Sequence, residues 1–174
     1  KTKAVWLLGE CGGVKKANAI GDYVLPSAAI RGEGTSNDYL PPEVPSLAAC
    51  SMRRDISSAI RDNGKDYWTG TVYTTNRRVW EYDMNFKEYL KKTHATGIDM
   101  ETATLLTAGF ANKIPTGALL MISDMPLEEG GVKTLESDLG VTQNFAPKHV
   151  ELGIKALEMM IEEKKTIQHI KFSW

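Results

Sequence analysis

Residues Ala95–Leu127, ATGIDMETATLLTAGFANKIPTGALLMISDMPL, decide how the chain is read. Two acidic sites stand in this stretch, separated by one helix and one strand. The first, Asp99-Met100-Glu101, falls where a short apolar segment, Ala95–Ile98, gives way to a helical pattern from Met100 to Asn112. The second, Ser123-Asp124, closes the most apolar run in the chain, Gly117–Ile122, within a strand expected over Thr116–Ser123. That strand is too apolar to keep a solvent face. Sites in open α/β sheets lie at the carboxyl ends of strands, so carboxylates ending adjacent core elements are placed to converge on a ligand.

Outward from this centre, strands and helices alternate. Ala4–Leu8 reads as a buried strand ending in Gly9-Glu10-Cys11-Gly12-Gly13. The glycines there suit either a plain turn or close approach of a phosphate or sugar. Gly21-Asp22 turns into a strand over Tyr23–Ile30, in which Pro26 implies an edge or a bulge. Gly32–Ser46 is a loop. Ser46 is a fair N-cap for a helix over Leu47–Asn63, with Ala49, Met52, Ile56, Ala59 and Ile60 as its buried stripe and Gly64 ending it. Thr69–Thr75 is β-branched and alternating, hence a strand. Asn76–Trp80 is a polar loop in which Arg77 and Arg78 suit a phosphate and Trp80 suits stacking on a base. The same residues also suit a solvated basic turn with Trp80 as a core plug. Asp83–Thr93 forms an amphipathic helix with Phe86, Tyr89 and Leu90 inward. Leu127–Val141 reads as a mobile acidic loop. Pro147 opens a long helix whose inward face is Val150, Ile154, Leu157 and Ile161.

The pattern points to one α/β domain of three layers with a mixed central sheet. At 174 residues the chain is long enough to bury a core, and 42% hydrophobic with 25% charged residues describes an ordinary globular protein. A formal net charge of −1 gives no electrostatic case for nucleic acid or an acidic membrane surface. Cys11 and Cys50 make neither a metal-ligand spacing nor a disulfide framework, so a cytoplasmic protein with no metal or cofactor is expected. The chain begins at Lys1, without an initiator Met, and enters a strand almost at once, which reads as a piece of something longer.

Asp99, just ahead of a helix, reads best as its N-cap. Glu101, near the same helix N-terminus, is favoured as an anion and can accept hydrogen bonds from vicinal sugar hydroxyls. Asp124 follows a dry run that disfavours its charge, so it can stay protonated and act as an acid. The alternative is that Asp124 caps the turn before Pro126.

At these residues the chain resembles the purine nucleoside phosphorylase and nucleosidase superfamily, whose Glu-Met-Glu motif and later Ser-Asp correspond to Asp99-Met100-Glu101 and Ser123-Asp124. The family's Gly-rich turn resembles Gly9–Gly13, followed at the usual interval by Gly21-Asp22. Within the superfamily it is most similar to the AMP nucleosidase family. That likeness is carried by Cys-Gly-Gly at 11–13, Gly-Asp-Tyr-Val-Leu at 21–25, Leu-Pro-Pro-Glu-Val-Pro at 40–45, Thr-Gly-Thr-Val at 69–72 and Ile-Asp-Met-Glu-Thr-Ala-Thr at 98–104. The resemblance implies a nucleoside phosphorylase-like fold lacking its first strands, so that 1–174 is the C-terminal two-thirds of one catalytic domain. It implies hydrolysis of AMP to adenine and ribose 5-phosphate by a homo-oligomer. Asp124 would serve N7 of the purine, Glu101 the ribose hydroxyls, Met100 the ribose face, and Cys11, Gly12 and Ser123 the base or sugar.

Three departures from the family pattern qualify this. Asp99 replaces a glutamate, so it takes no ligand role. Glu10 stands where phosphorolytic relatives carry a phosphate-contacting serine, and its charge favours water over phosphate as nucleophile. The family's 5′-phosphate and water-positioning groups lie largely in the absent strands, leaving Arg31, Arg77 and Arg78 as candidates for the phosphate. The main rivals are a phosphorolytic purine or uridine nucleoside phosphorylase and a non-catalytic nucleotide-binding fragment.

Overall fold

The computed structural model describes residues 2–162. Its strands are β1 (Val5–Gly13), β2 (Tyr23–Gly32), the short β3 (Ser46–Leu47), β4 (Tyr67–Thr75), β5 (Gly97–Asp99) and β6 (Thr116–Asp124). Its helices are α1 (Cys50–Asp62), α2 (Met84–Lys92), α3 (Thr102–Ala111), α4 (Leu135–Asn144) and α5 (Ala146–Glu162). The strands form one mixed sheet in the order β3-β2-β4-β5-β1-β6. A further antiparallel pairing, Tyr23 with Met121 and Val24 with Leu120, joins β2 back to β6. Five strands thus close into a ring, a feature that local sequence patterns do not reveal.

Alternation along the strands sorts the core between two faces. Ala118, Leu120 and Ile122 of β6 pack with Val24, Val72, Cys11 and the α3 residues Ala103 and Leu106. Leu119 and Met121 point the other way, against Ile56, Ala59 and Ile60 of α1, Val141 of α4, and Leu152 and Ala156 of α5. Helices on both faces of a mixed sheet give the expected three layers. α2 adds Phe86 and Leu90 to a third cluster with Tyr73, Trp80 and Ile98. No helix among the described residues is long and apolar enough to cross a membrane.

Several local expectations change. Gly9–Gly13 is not a turn, because β1 runs through it with a bulge between Cys11 and Gly12. The glycines serve close packing: a Cβ on Gly12 would lie 2.8 Å from Pro126 Cγ, and one on Gly13 2.6 Å from Met125 Sδ. Ser46 caps no helix. It pairs with Ala29 of β2 and its hydroxyl donates to the Ala103 carbonyl at 3.0 Å, while α1 starts at Cys50. Met52, Ile56, Ala59 and Ile60 form the buried stripe of α1 as expected, Ala49 is instead half-buried at its cap position, and Gly64 ends it with a positive φ of 67°. Pro26 does sit at a bulge in β2. Tyr89 is exposed, with its ring edge-on to Tyr73.

Two larger corrections concern the C-terminal part. Half of the expected mobile loop is helix α4, nucleated by a reciprocal cap: Thr134 Oγ1 accepts from the Ser137 N–H, and Ser137 Oγ accepts from the Thr134 N–H. On α5 the inward face differs from the expected one. Val150, Ile154, Leu157 and Ile161 are all exposed, whereas His149, Leu152, Gly153 and Ala156 are buried. The sheet is approached so closely at Gly153 that a Cβ there would collide with the Leu8 side chain, so the helix turns Gly153 and Ala156 inward beside Leu152. His149 joins them because its Nε2 bonds the Leu119 carbonyl at 3.0 Å.

Candidate active site

β1 runs parallel to β6 and antiparallel to β5, and the two registers meet at one residue. Gly12 lies opposite Asp124 on one side and Ile98 on the other. Asp124 and Asp99, 25 residues apart in sequence, therefore flank Cys11-Gly12. Burial pushes the Cys11 thiol well above its usual range, and the charges of Asp99, Asp124 and Glu10 push it further. The thiol is neutral and packs in the core, so Cys11 offers a ligand only its backbone.

The two aspartates differ in their bonding. Asp99 Oδ2 accepts from the Thr102 N–H at 2.8 Å and the Glu101 N–H at 3.4 Å, and Oδ1 from the Thr74 hydroxyl at 2.7 Å. α3 starts at Thr102 rather than Met100 and its cap position is Glu101 rather than the expected Asp99, but Asp99 supplies the capping bonds from two positions ahead. Burial raises its pKa against the opposing effect of those bonds. Asp124 is also raised, first by burial and slightly by Glu81, against the Ser123 hydroxyl and the charge and backbone N–H of Lys133. The Ser123 hydroxyl, 3.0 Å from Asp124 Oδ1 and 3.5 Å from the Cys11 carbonyl, orients the carboxyl group. Ser123 is buried and its one proton is engaged, so its part is support rather than ligand contact.

Met100 and Glu101 follow Asp99 directly. Met100 is half-buried and Glu101 is exposed at the cap position of α3, without a capping bond of its own. Its Oε2 accepts only a long 3.3 Å bond from the Met100 N–H, so the carboxylate keeps capacity for hydroxyl donors.

The basic and aromatic candidates fare unevenly. Arg31 is fully engaged: its five N–H groups reach Ser36 Oγ, Asn37 Oδ1 and the carbonyls of Leu40, Pro41 and Val44 at 2.5–2.9 Å. It holds the loop after β2 and has no donor left for a phosphate. Arg77 bonds Asp83, the α2 cap, and lies 4.8 Å over the Phe86 ring. Arg78 is exposed in the turn. Trp80 is 6% exposed and edge-on to Phe86, so the core-plug reading describes it and base stacking does not.

Two residues beside the site carry no signal in the motifs. Lys133 Nζ bridges Glu10 at 2.6 Å and Asp138 at 2.7 Å while acting on Asp124. The Thr134–Ser137 cap was the available signal that this segment is ordered. Glu33, 4% exposed, accepts from the Ser36 N–H and the Thr104 hydroxyl. Nothing in a Gly-rich loop marks it as buried.

A family profile described as the Phosphorylase superfamily matches residues 1–158, and the chain belongs to that superfamily. AMP nucleosidase of Escherichia coli K12 is 32% identical over 170 residues, covering 91% of this chain and 35% of that protein. The crystal structure of AMP nucleosidase from Bacteroides thetaiotaomicron VPI-5482 superposes with a TM-score of 0.79 at 64% identity, covering 93% of this chain and 62% of that one. Uridine phosphorylase of Treponema pallidum is 26% identical over 167 residues, covering 90% of this chain and 62% of that protein. The chain thus spans about a third of the curated nucleosidase and just under two-thirds of the solved one.

Proposed function

We propose that this chain takes part in hydrolysis of the N-glycosidic bond of AMP, giving adenine and ribose 5-phosphate. The observation that carries the reading is Asp124, a half-buried carboxyl group that ends β6 beside Cys11-Gly12, carries no helix cap and is held toward its protonated form, in a sequence 64% identical to an AMP nucleosidase. As the C1′–N9 bond breaks, its electron pair passes to the purine and Asp124 gives its proton to N7. Water adds at C1′ of the oxocarbenium-like sugar and gives up a proton to solvent, from which Asp124 is reprotonated. Glu101 accepts hydrogen bonds from the ribose hydroxyls, Met100 packs on the ribose, and the Cys11-Gly12 backbone lines the ligand.

Phosphorolysis is the second reading, favoured by the uridine phosphorylase relative. The Glu10 charge argues against phosphate less than its sequence position suggests, because Lys133 is paired with it. Chromatography of products from AMP, with and without phosphate, separates the two. Adenine and ribose 5-phosphate in both buffers is the expected result; ribose 1-phosphate formed only with phosphate moves the reaction to phosphorolysis. No release in either buffer supports a non-catalytic fragment.

We further propose that these residues form the C-terminal two-thirds of one catalytic domain in a cytoplasmic homo-oligomer. Among the described residues, Val5–Cys11 of β1 are paired on one side only, by β6, which supports a strand on the other. The exposed apolar stripe of α5 supports a covered surface. Arg77 and Arg78 remain the candidates for the 5′-phosphate.

A further inference from the structure

The first turn of α3, which follows Glu101, is tied from three directions. Asp99 of β5 accepts from the Thr102 N–H, and Thr74 Oγ1 of β4 accepts from the Ala103 N–H at 3.0 Å. These bonds satisfy backbone donors that every helix start leaves open. The third tie is different. Glu33 Oε1, beyond the end of β2, accepts from the Thr104 hydroxyl at 3.0 Å and so satisfies no backbone group of the helix. A half-buried threonine hydroxyl has other partners, its own helix or water, at hand.

Glu33 is held without a counter-charge. Its Oε2 is buried without a hydrogen-bond partner, and no ion pair is formed by it among the described residues. Burial alone would raise its pKa, but the bonds from Ser36, its own backbone N–H and Thr104 outweigh that and hold it below the usual carboxylate range. An ionised carboxylate taken out of water with no cation depends on such bonds, so the groups that supply them are fixed with it. Oε1 links only two elements, the loop through the Ser36 N–H at 2.9 Å and the first turn of α3 through Thr104. The loop is itself anchored by the five bonds of Arg31, so the tie runs from a fixed body to a helix start.

We infer that Glu33 is a positioning residue: through Thr104 it sets the first turn of α3 and with it the placement of Glu101 on the ribose hydroxyls. The inference rests on the AMP hydrolysis reading. Small displacements of a substrate-positioning group weaken reaction far more than they weaken the fold.

The test compares Glu33→Ala, Glu33→Gln and wild type on AMP and on 2′-deoxy-AMP, with melting temperatures alongside. Glu33→Ala should lose on the order of ten-fold in kcat/KM on AMP, chiefly through KM. On 2′-deoxy-AMP, which lacks a hydroxyl for Glu101, its loss should be smaller. Glu33→Gln, whose amide oxygen accepts the same two bonds, should recover most of the AMP activity. Equal losses on both substrates, or an unchanged Glu33→Ala, would overturn the inference while leaving the function standing. A wild type that releases no adenine overturns the function, and this inference with it.

Discussion

Asp99 and Asp124 begin from similar circumstances. Each ends a core strand, each flanks Cys11-Gly12, and burial raises the pKa of each. The fold treats them differently. Asp99 is engaged by three donors that belong to the start of α3 and to β4, and it is 7% exposed. Asp124 is half-buried, supported by Ser123 and Lys133, and carries no part of a helix cap. Burial and a raised pKa do not by themselves mark an acid catalyst. What distinguishes one is acceptor and donor capacity that the fold has left uncommitted.

The largest effect that can break this contrast is on Asp124. Asp124→Asn should lower AMP turnover by about 10²–10⁴-fold, the usual worth of one positioned acid. A carboxyl group whose folded pKa is raised contributes stability below its unfolded pKa and loses it as pH rises through the folded value. At neutral pH, above its unfolded value, the Asp124 carboxyl group therefore costs stability, and Asp124→Asn should melt at the wild-type temperature or above it. A variant that unfolds instead would make Asp124 a second Asp99.

Asp99→Ala should show the reverse balance. It strands the buried Thr102 N–H and the Thr74 hydroxyl, each worth about 1–3 kcal/mol when left unsatisfied. Denaturant unfolding should therefore show a loss of about 2–6 kcal/mol. Adenine release per folded molecule should fall less than in Asp124→Asn. A stable, inactive Asp99→Ala would overturn the structural assignment.

A smaller effect sharpens the contrast from the basic side. His149 is buried against Leu119, and burial holds its pKa below the usual 6.5. The unfolded chain binds its proton near that value while the folded chain resists it, so stability should fall as pH drops below 6.5. A tenfold difference in proton affinity between the folded and unfolded chain corresponds to about 1.4 kcal/mol. Wild type and His149→Gln, compared by chemical denaturation between pH 7 and pH 5, should diverge progressively; parallel curves would show that His149 does not control this slope.

Much of the architecture was legible because it rests on local patterns. Thr116–Asp124 is recognisable as a buried strand from the unbroken apolar run Gly117–Ile122, and its first eight positions are all buried. Met52, Ile56, Ala59 and Ile60 repeat at helical spacing and are all buried. α5 shows the limit of the same method. Periodicity finds the stripe Val150, Ile154, Leu157 and Ile161, yet the face turned inward is set by how near the helix must come to Leu8 and Leu119. Arg31 and Trp80 failed as ligand candidates for a related reason: a sequence gives a side chain's chemistry but not whether the fold has already used it.

The order of residues was enough to establish the alternation of strands and helices, the acidic residues at the strand ends, and, through motifs spread over nearly the whole chain, its superfamily. The first two follow from hydrophobic periodicity and from residue types that a given chemistry requires; the superfamily follows from the resemblance of the motifs. It took the folded chain to show that the sheet closes through Tyr23–Met121, that Gly12 is the residue at which Asp124 and Ile98 meet, and that Glu33 reaches Thr104. Those are contacts between residues up to 112 positions apart. They are fixed by register and by the distance at which layers can pack, neither of which is written in any local stretch of sequence.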